Sequence, residues 1–230
     1  MSAPRAKPVQ AADRAGAERA RAGEDLARAW WRRVPRVVTA PRSVFAALAE
    51  TDDVDVDARS EPVLAIVIVA GMAGVILTPA WGTVMDDGTV DGLVLLVLTF
   101  VGGLFYGAAA YFLLGLALWL GAKAVGVDAP FRIARQLVAF AALPVALSLA
   151  VVLPSLALAY GWDWFRTGGD DTGRGRDVVV ILGLAFVAWS LALVGVGLRT
   201  TFRLPWRGVA GALLLAGVMV AAFAVLPNAL

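Results

Sequence analysis

The sequence contains no cysteine and no histidine. Without cysteine the chain can form no disulfide and offers no thiol for redox chemistry. Without histidine it lacks the usual general base near neutral pH and a common ligand of zinc and haem iron. No serine is paired with a credible base either. We therefore predict that the protein is not an enzyme, with no catalytic residue, no metal site and no cofactor.

Charged side chains are also missing from five long apolar stretches, at residues 62–80, 93–120, 137–160, 178–198 and 209–226. Each stretch reaches the roughly 18 residues that mark a membrane-spanning helix. Hydrophobic residues make up 60% of the chain, and its mean hydropathy is +0.79. The predicted fold class is therefore all-α, a polytopic transmembrane helical bundle with five spans. Uncharged spans argue against ion-coupled transport, because intramembrane charges usually mark ion or proton pathways.

Basic residues are distributed unevenly among the connectors between these stretches. Connector 81–92 has none, whereas connectors 121–136 and 199–207 carry Lys123, Arg132 and Arg135, and Arg199, Arg203 and Arg207. Since Lys and Arg accumulate on the cytoplasmic side of membranes, we predict that the N-terminus is inside and the C-terminus outside. The bias toward Ala, Arg and Val is typical of GC-rich bacterial genes, so the predicted location is a bacterial cytoplasmic membrane, as a multi-pass protein.

The part of the chain before the bundle, which we assign to residues 62–227, divides into three segments. We predict a disordered or solvated basic tail at 1–29 and an acidic solvated spacer at 51–61. Residues 30–50 mix aromatic and aliphatic side chains with arginines, a pattern typical of an interfacial amphipathic segment. The predicted partner is the lipid bilayer, with a preference for anionic lipid and not for nucleic acid. The candidate lipid-contacting residues are Trp30, Trp31, Arg32, Arg33, Arg36, Arg42, Phe45 and Leu48.

Small residues and prolines within the spans indicate how the helices pack. Gly103 and Gly107 form a small-xxx-small pair, which lets two helix backbones approach closely. We interpret this pair as an intramolecular contact, with a homo-oligomer interface as the alternative. Pro144 and Pro154 lie inside the third predicted span, where proline removes a helical hydrogen bond and favours a kink.

The order of these features resembles the Yip family, the Ypt-interacting membrane proteins and their bacterial relatives. The resemblance rests on the element Pro41-Arg-Ser-Val-Phe45-Ala-Ala-Leu48, on Pro62 at the start of the first span, and on the stretch from Phe131 to Pro144. It covers roughly residues 38–226. The Asp-Leu-Tyr-Gly-Pro type sequence of eukaryotic members is missing, which argues against small-GTPase binding.

The resemblance implies a non-enzymatic membrane protein that acts in membrane organisation or in the recruitment of partners. Together with the residues above, it predicts partner or lipid recruitment through the basic N-terminal region, with a membrane-protein partner or a homo-oligomer as further possibilities. The alternative is a small permease or channel component with an uncharged pathway. Four residues would line that pathway: Tyr106, Tyr111, Pro144 and Ser148.

Overall fold

A computed structural model of the chain describes residues 8–49, 53–76, 79–87, 90–161 and 174–229. Within these ranges the regular secondary structure is entirely helical. The helices in chain order are α1 (Pro8–Arg33), α2 (Arg36–Thr39), α3 (Pro41–Ala47), α4 (Asp53–Ala58), α5 (Ser60–Ile76), α6 (Pro79–Asp86), α7 (Gly92–Ala124), α8 (Phe131–Ala141), α9 (Leu143–Tyr160), α10 (Arg174–Thr201) and α11 (Trp206–Ala229).

Four helical segments of the described chain are long and apolar enough to cross a membrane. They are Asp55–Ile76, Gly92–Ala124, Phe131–Leu158 and Asp177–Thr201. In α11, Trp206–Val218 forms a shorter apolar segment. These segments confirm an all-α membrane protein with several spans. The fifth span and the orientation stay predictions.

The helix that contains the third predicted span begins before that span. Helix α8 starts at Phe131, after Pro130 in an extended conformation, whereas the predicted span starts at Leu137. The span-length segment Phe131–Leu158 therefore includes Arg132 and Arg135. A span predicted from hydropathy excludes these charges, whereas the helix extends beyond it. The bounds of the span within the membrane stay a prediction.

The two prolines of this span occupy different positions. Pro144 lies in the first turn of α9, directly after the Ala142 break that separates α8 from α9. A first-turn proline loses no hydrogen bond, because that N–H has no partner within the helix. Pro154 lies inside α9, where it does remove a helical hydrogen bond. The change of direction predicted at Pro144 is thus a boundary between two helices.

The described chain before the bundle is mostly helical. Helix α1 runs through residues 8–33, over most of the predicted tail, because its Ala, Arg and Glu residues favour helix. Helix α4 occupies most of the segment that was predicted to be an acidic spacer, and its residues Val56 and Ala58 are buried. Residues 1–7 and 50–52 lie outside the described part of the chain.

The closest helix contact in the bundle joins α5 to α7 through three glycines. A Cβ atom built on Gly71 would lie 2.6 Å from the backbone nitrogen of Gly107, and one on Gly103 would lie 2.8 Å from that of Met72. A Cβ on Gly107 would overlap the carbonyl oxygen of Val67. These separations are shorter than atoms tolerate, so the two backbones can meet only where side chains are absent. The pair Gly103 and Gly107 thus makes an intramolecular contact.

We expect Gly107→Ala to lower the free energy of unfolding by about 1–3 kcal/mol, the usual cost of overpacking. The added methyl group would force α5 away from α7. Thermal unfolding of the purified protein in detergent measures this loss. Gly183→Ala is the control, because nothing lies within 4 Å of a Cβ at that position in α10. A Gly107→Ala protein as stable as the control would contradict the close contact.

Candidate functional site: the N-terminal cap and its basic face

The end of α1 (residues 26–33) packs with α2, α3 and α4 against one end of the bundle. We call these four elements the cap. The buried side chains of the cap belong to the same hydrophobic core as the bundle. Among them are Trp30, Val37, Val44, Phe45 and Leu48, each at most 1% exposed. The cap is therefore part of the folded domain.

Trp30 is the central side chain of the cap. Its indole Nε1 donates a hydrogen bond of 3.0 Å to Oδ1 of Asp55. Its ring lies 5.6 Å from the ring of Phe140 in α8, measured between centroids. The guanidinium carbon of Arg33 lies 4.4 Å from the Trp30 ring centroid, and that of Arg59 lies 5.2 Å away. One side chain thus connects α1, α4 and α8.

Arg59 and Asp55 form a buried ion pair beneath this tryptophan. Nη2 of Arg59 lies 3.5 Å from Oδ2 of Asp55, one helical turn away. Nη1 of Arg59 donates to the carbonyl oxygen of Leu48 at 3.3 Å. Arg59 is completely buried, and Asp55 is 8% exposed. Two opposite charges can be buried together at this site because each compensates the other.

A second connection joins the cap to the far end of α10. The hydroxyl of Thr201 donates a hydrogen bond of 2.8 Å to the carbonyl oxygen of Phe45. Thr201 is 9% exposed, and the bond joins residues 156 positions apart in the sequence. Helix α3 is thereby fixed against both α10 and the core.

The cap changes the interpretation of three predicted lipid contacts. Trp30, Phe45 and Leu48 are fully buried in protein, so the prediction that they insert among lipid headgroups is wrong. An apolar side chain leaves water equally well into lipid or into a protein core, and the sequence pattern does not distinguish the two. The other five candidates stay near the surface: Trp31, Arg32, Arg33, Arg36 and Arg42.

Four of these five are exposed, and we call Trp31, Arg32, Arg36 and Arg42 the basic face. Arg33 is half-buried over Trp30 and serves the packing of the cap. Trp31 is 43% exposed, and its Nε1 donates to Glu61 at 3.3 Å. None of the three arginines of this face has an ion-pair partner within the described residues. The face therefore carries a net positive charge that is open to an anionic partner.

The residues of the alternative pathway separate in the structure. Tyr106 and Ser148 line a cavity of about 550 Å³ between α5, α7, α9 and α10. Tyr106 and Tyr111 line an adjoining cavity of about 340 Å³. Pro144 lines neither cavity and is fully buried. Three of the four predicted residues are thus brought to connected apolar spaces.

Asp55, Arg59 and Phe140 were not recognised in the sequence as parts of a site. Asp55 and Arg59 stand four residues apart, a spacing at which opposite charges can pair on a helix. That spacing was a usable signal, but the surrounding acidic residues suggested a solvated segment. Nothing in the sequence connects Trp30 to Asp55 or to Phe140, because their contact depends on the tertiary fold.

A bundle of apolar span-length helices with a packed, basic N-terminal cap defines a polytopic membrane protein. The Yip1 domain matches residues 36–226, most of the chain. The chain therefore belongs to the Yip1 domain family, and this membership points to a non-enzymatic membrane protein. No curated protein and no solved structure matches the chain. The matched range includes all of the bundle except the last residues of α11 and most of the cap, but it begins after Trp30.

We expect Arg59→Met to lower the free energy of unfolding by about 3–5 kcal/mol. The substitution would leave the carboxylate of Asp55 buried without its opposite charge. Thermal unfolding in detergent, followed by tryptophan fluorescence, measures the loss. Asp57→Asn is the control, because Asp57 is exposed on α4, the short helix that also carries Asp55. Equal stability of the two variants would mean that the ion pair does not hold the cap in place.

Proposed function

We propose that this Yip family protein organises membrane or recruits a partner through the basic face of its N-terminal cap. The proposed setting is a bacterial cytoplasmic membrane, with the N-terminus inside and the C-terminus outside. The partner is anionic lipid, a second membrane protein that carries an acidic surface, or another copy of this chain.

The observation that carries the proposal is the contrast between the buried and the exposed side chains of the cap. Trp30 contacts Phe140 of the bundle, and the carbonyl oxygen of Phe45 accepts a hydrogen bond from Thr201. Arg32, Arg36 and Arg42 are exposed and have no ion-pair partners among the described residues. A rigid element with an uncompensated charged surface can bind without a large ordering cost. The packing of the cap against the bundle does not require exposed arginines without ion-pair partners.

Removal of the three arginines gives a direct test of lipid preference. We expect the Arg32→Gln, Arg36→Gln, Arg42→Gln protein to have a weaker preference for anionic lipid than the unmodified protein, since a basic residue near the surface contributes about 1 kcal/mol. Electron paramagnetic resonance of spin-labelled phosphatidylglycerol and phosphatidylcholine in proteoliposomes measures the preference. High salt should reduce the preference of the unmodified protein in the same way.

The matched control for this test replaces Arg21 and Arg28 with Gln. These two arginines are exposed on α1, and Arg28 already pairs with Glu24 and Asp25. Per charge removed, the control should change lipid preference less than the triple variant. An equal change per charge would mean that only the total charge matters, and the basic face would lose its role.

Crosslinking in native membranes, followed by mass spectrometry, tests recruitment of a protein partner. The same triple variant is more suitable than deletion of residues 1–50, because that deletion would remove buried side chains such as Phe45 and Leu48. A partner that crosslinks to the unmodified protein and is lost from the variant supports recruitment through the basic face. A partner retained by the variant would place the contact elsewhere.

The second candidate function is a small permease, supported by the connected apolar spaces at Tyr106. Such a pathway would carry uncharged solutes, because the walls are largely apolar. We expect Tyr106→Leu and Ser148→Ala to change liposome flux of small neutral solutes if this function holds. Flux that equals that of protein-free liposomes would exclude it.

A further inference from the structure

Arg135 is a cation near the start of a span-length helical segment. It lies in α8, within the span-length segment Phe131–Leu158. No carboxylate of the described residues lies within ion-pair distance of it. Its Nε is buried and has no hydrogen-bond partner. Ionisable residues on spanning helices are costly and usually mark a site.

Three aromatic rings surround the Arg135 guanidinium. Its central carbon lies 4.8 Å from the ring centroids of Phe112 and Phe131, and 5.3 Å from that of Tyr111. Aromatic faces attract a cation, but they accept no conventional hydrogen bond from N–H groups in the guanidinium plane. The rings thus stabilise the positive charge of the Arg135 guanidinium, while its N–H groups stay available to an oxygen acceptor. Arg135 is only half-buried, so part of its side chain is open to an acceptor.

The position of Arg135 is fixed by close contact with α7. A Cβ atom built on Gly115 would lie 2.5 Å from Cγ of Arg135. The arginine stem therefore runs directly over the α7 backbone. Phe131 in turn contacts Trp119, with ring centroids 5.8 Å apart, and Lys123 lies 4.5 Å from the Trp119 ring. A second cation thus belongs to the same aromatic cluster.

An apolar groove lies beside one ring of this cluster. Tyr111 borders the guanidinium and also lines the cavity of about 340 Å³. That cavity shares Gly74, Tyr106, Val145 and Val187 with the cavity of about 550 Å³. The two cavities together form the groove, which begins at Tyr111 and reaches Leu156 of α9. Both volumes fall within the roughly 300–1,000 Å³ of typical ligand sites.

We propose that Arg135 of α8 and this groove, which lies between α5, α7, α9 and α10, form a phospholipid-binding site. The phosphate of an anionic phospholipid accepts hydrogen bonds from the Arg135 guanidinium, and an acyl chain lies in the groove beyond Tyr111. Arginine is suited to phosphate because its planar donors match two phosphate oxygens. In the predicted orientation, Arg135 belongs to the cytoplasmic half of the bundle, where the inner leaflet supplies such phosphates. The site is separate from the basic face of the cap.

Native mass spectrometry of the full-length protein in detergent, titrated with dioleoylphosphatidylglycerol, tests the proposal. We expect Arg135→Gln to weaken lipid retention about tenfold, as for the loss of one charge-assisted contact. Arg207→Gln is the matched control, because it removes one exposed charge from the same predicted side without an aromatic cluster. Equal losses in the two variants would overturn the proposal, since they would show unspecific attraction.

A second pair of variants tests the groove and does not depend on Arg135. Val187→Trp should fill the groove where the two cavities meet and should weaken retention to a similar degree. Leu191→Trp, one turn along α10 at a 55% exposed position outside both cavities, should not. Retention that is unchanged by Val187→Trp would exclude the acyl-chain part of the site.

Competition by inorganic phosphate distinguishes a lipid site from a free-phosphate site. For a lipid site, millimolar phosphate should displace little phosphatidylglycerol, because it cannot occupy the groove. Complete displacement would assign the site to free phosphate and overturn the lipid proposal. The triple variant of the basic face should retain the Arg135-dependent lipid, so the two proposals can fail independently.

Discussion

The backbone contact between α5 and α7 at Gly71, Gly103 and Gly107 sets the geometry of the rest of the bundle. In a membrane, lipid tails are as apolar as the helices, so association depends on close van der Waals packing. The contact brings the backbone of α5 against that of α7. It thereby fixes the positions of Tyr106 and Tyr111 along the bundle. Both cavities open beside those tyrosines.

The apolar stretches and the glycine pair were sufficient to predict a helical membrane bundle and its intramolecular packing. The motifs from Pro41 to Leu48 and from Phe131 to Pro144 were sufficient for the family. These features are local, and their physical meaning does not depend on distant residues. Helix α8 begins before the third predicted span, because hydropathy excludes Arg132 and Arg135 from that span. Aromatic rings from α7 surround the guanidinium of Arg135, so this charge is accommodated on the same helical segment as the apolar residues.

The sequence was less informative about whether the aromatic residues at positions 30–48 contact lipid or protein. An amphipathic segment with arginines has the same pattern whether its apolar side meets lipid or protein. The outcome depends on Phe140 and Thr201, which lie far away in sequence, and on the Asp55–Arg59 pair, which is nearer but pairs with Trp30 only through the tertiary fold. Once they are in place, Trp30 has a hydrogen-bond acceptor and an aromatic neighbour inside the protein. Lipid headgroups offer no comparable fixed arrangement.

Trp30 lies outside the range that matches the Yip1 domain, yet it occupies the centre of the cap within that domain's fold. The unit that folds is therefore larger than the unit that defines the family. A chain cut at residue 36 would keep the family's range but would open a void as large as an indole beside Phe140. It would also bring water to a carboxylate and a guanidinium that are otherwise enclosed. In this protein, the end of α1 closes the core of its own domain. An exchanged N-terminal extension must close that core in the same way if the fold is to be preserved.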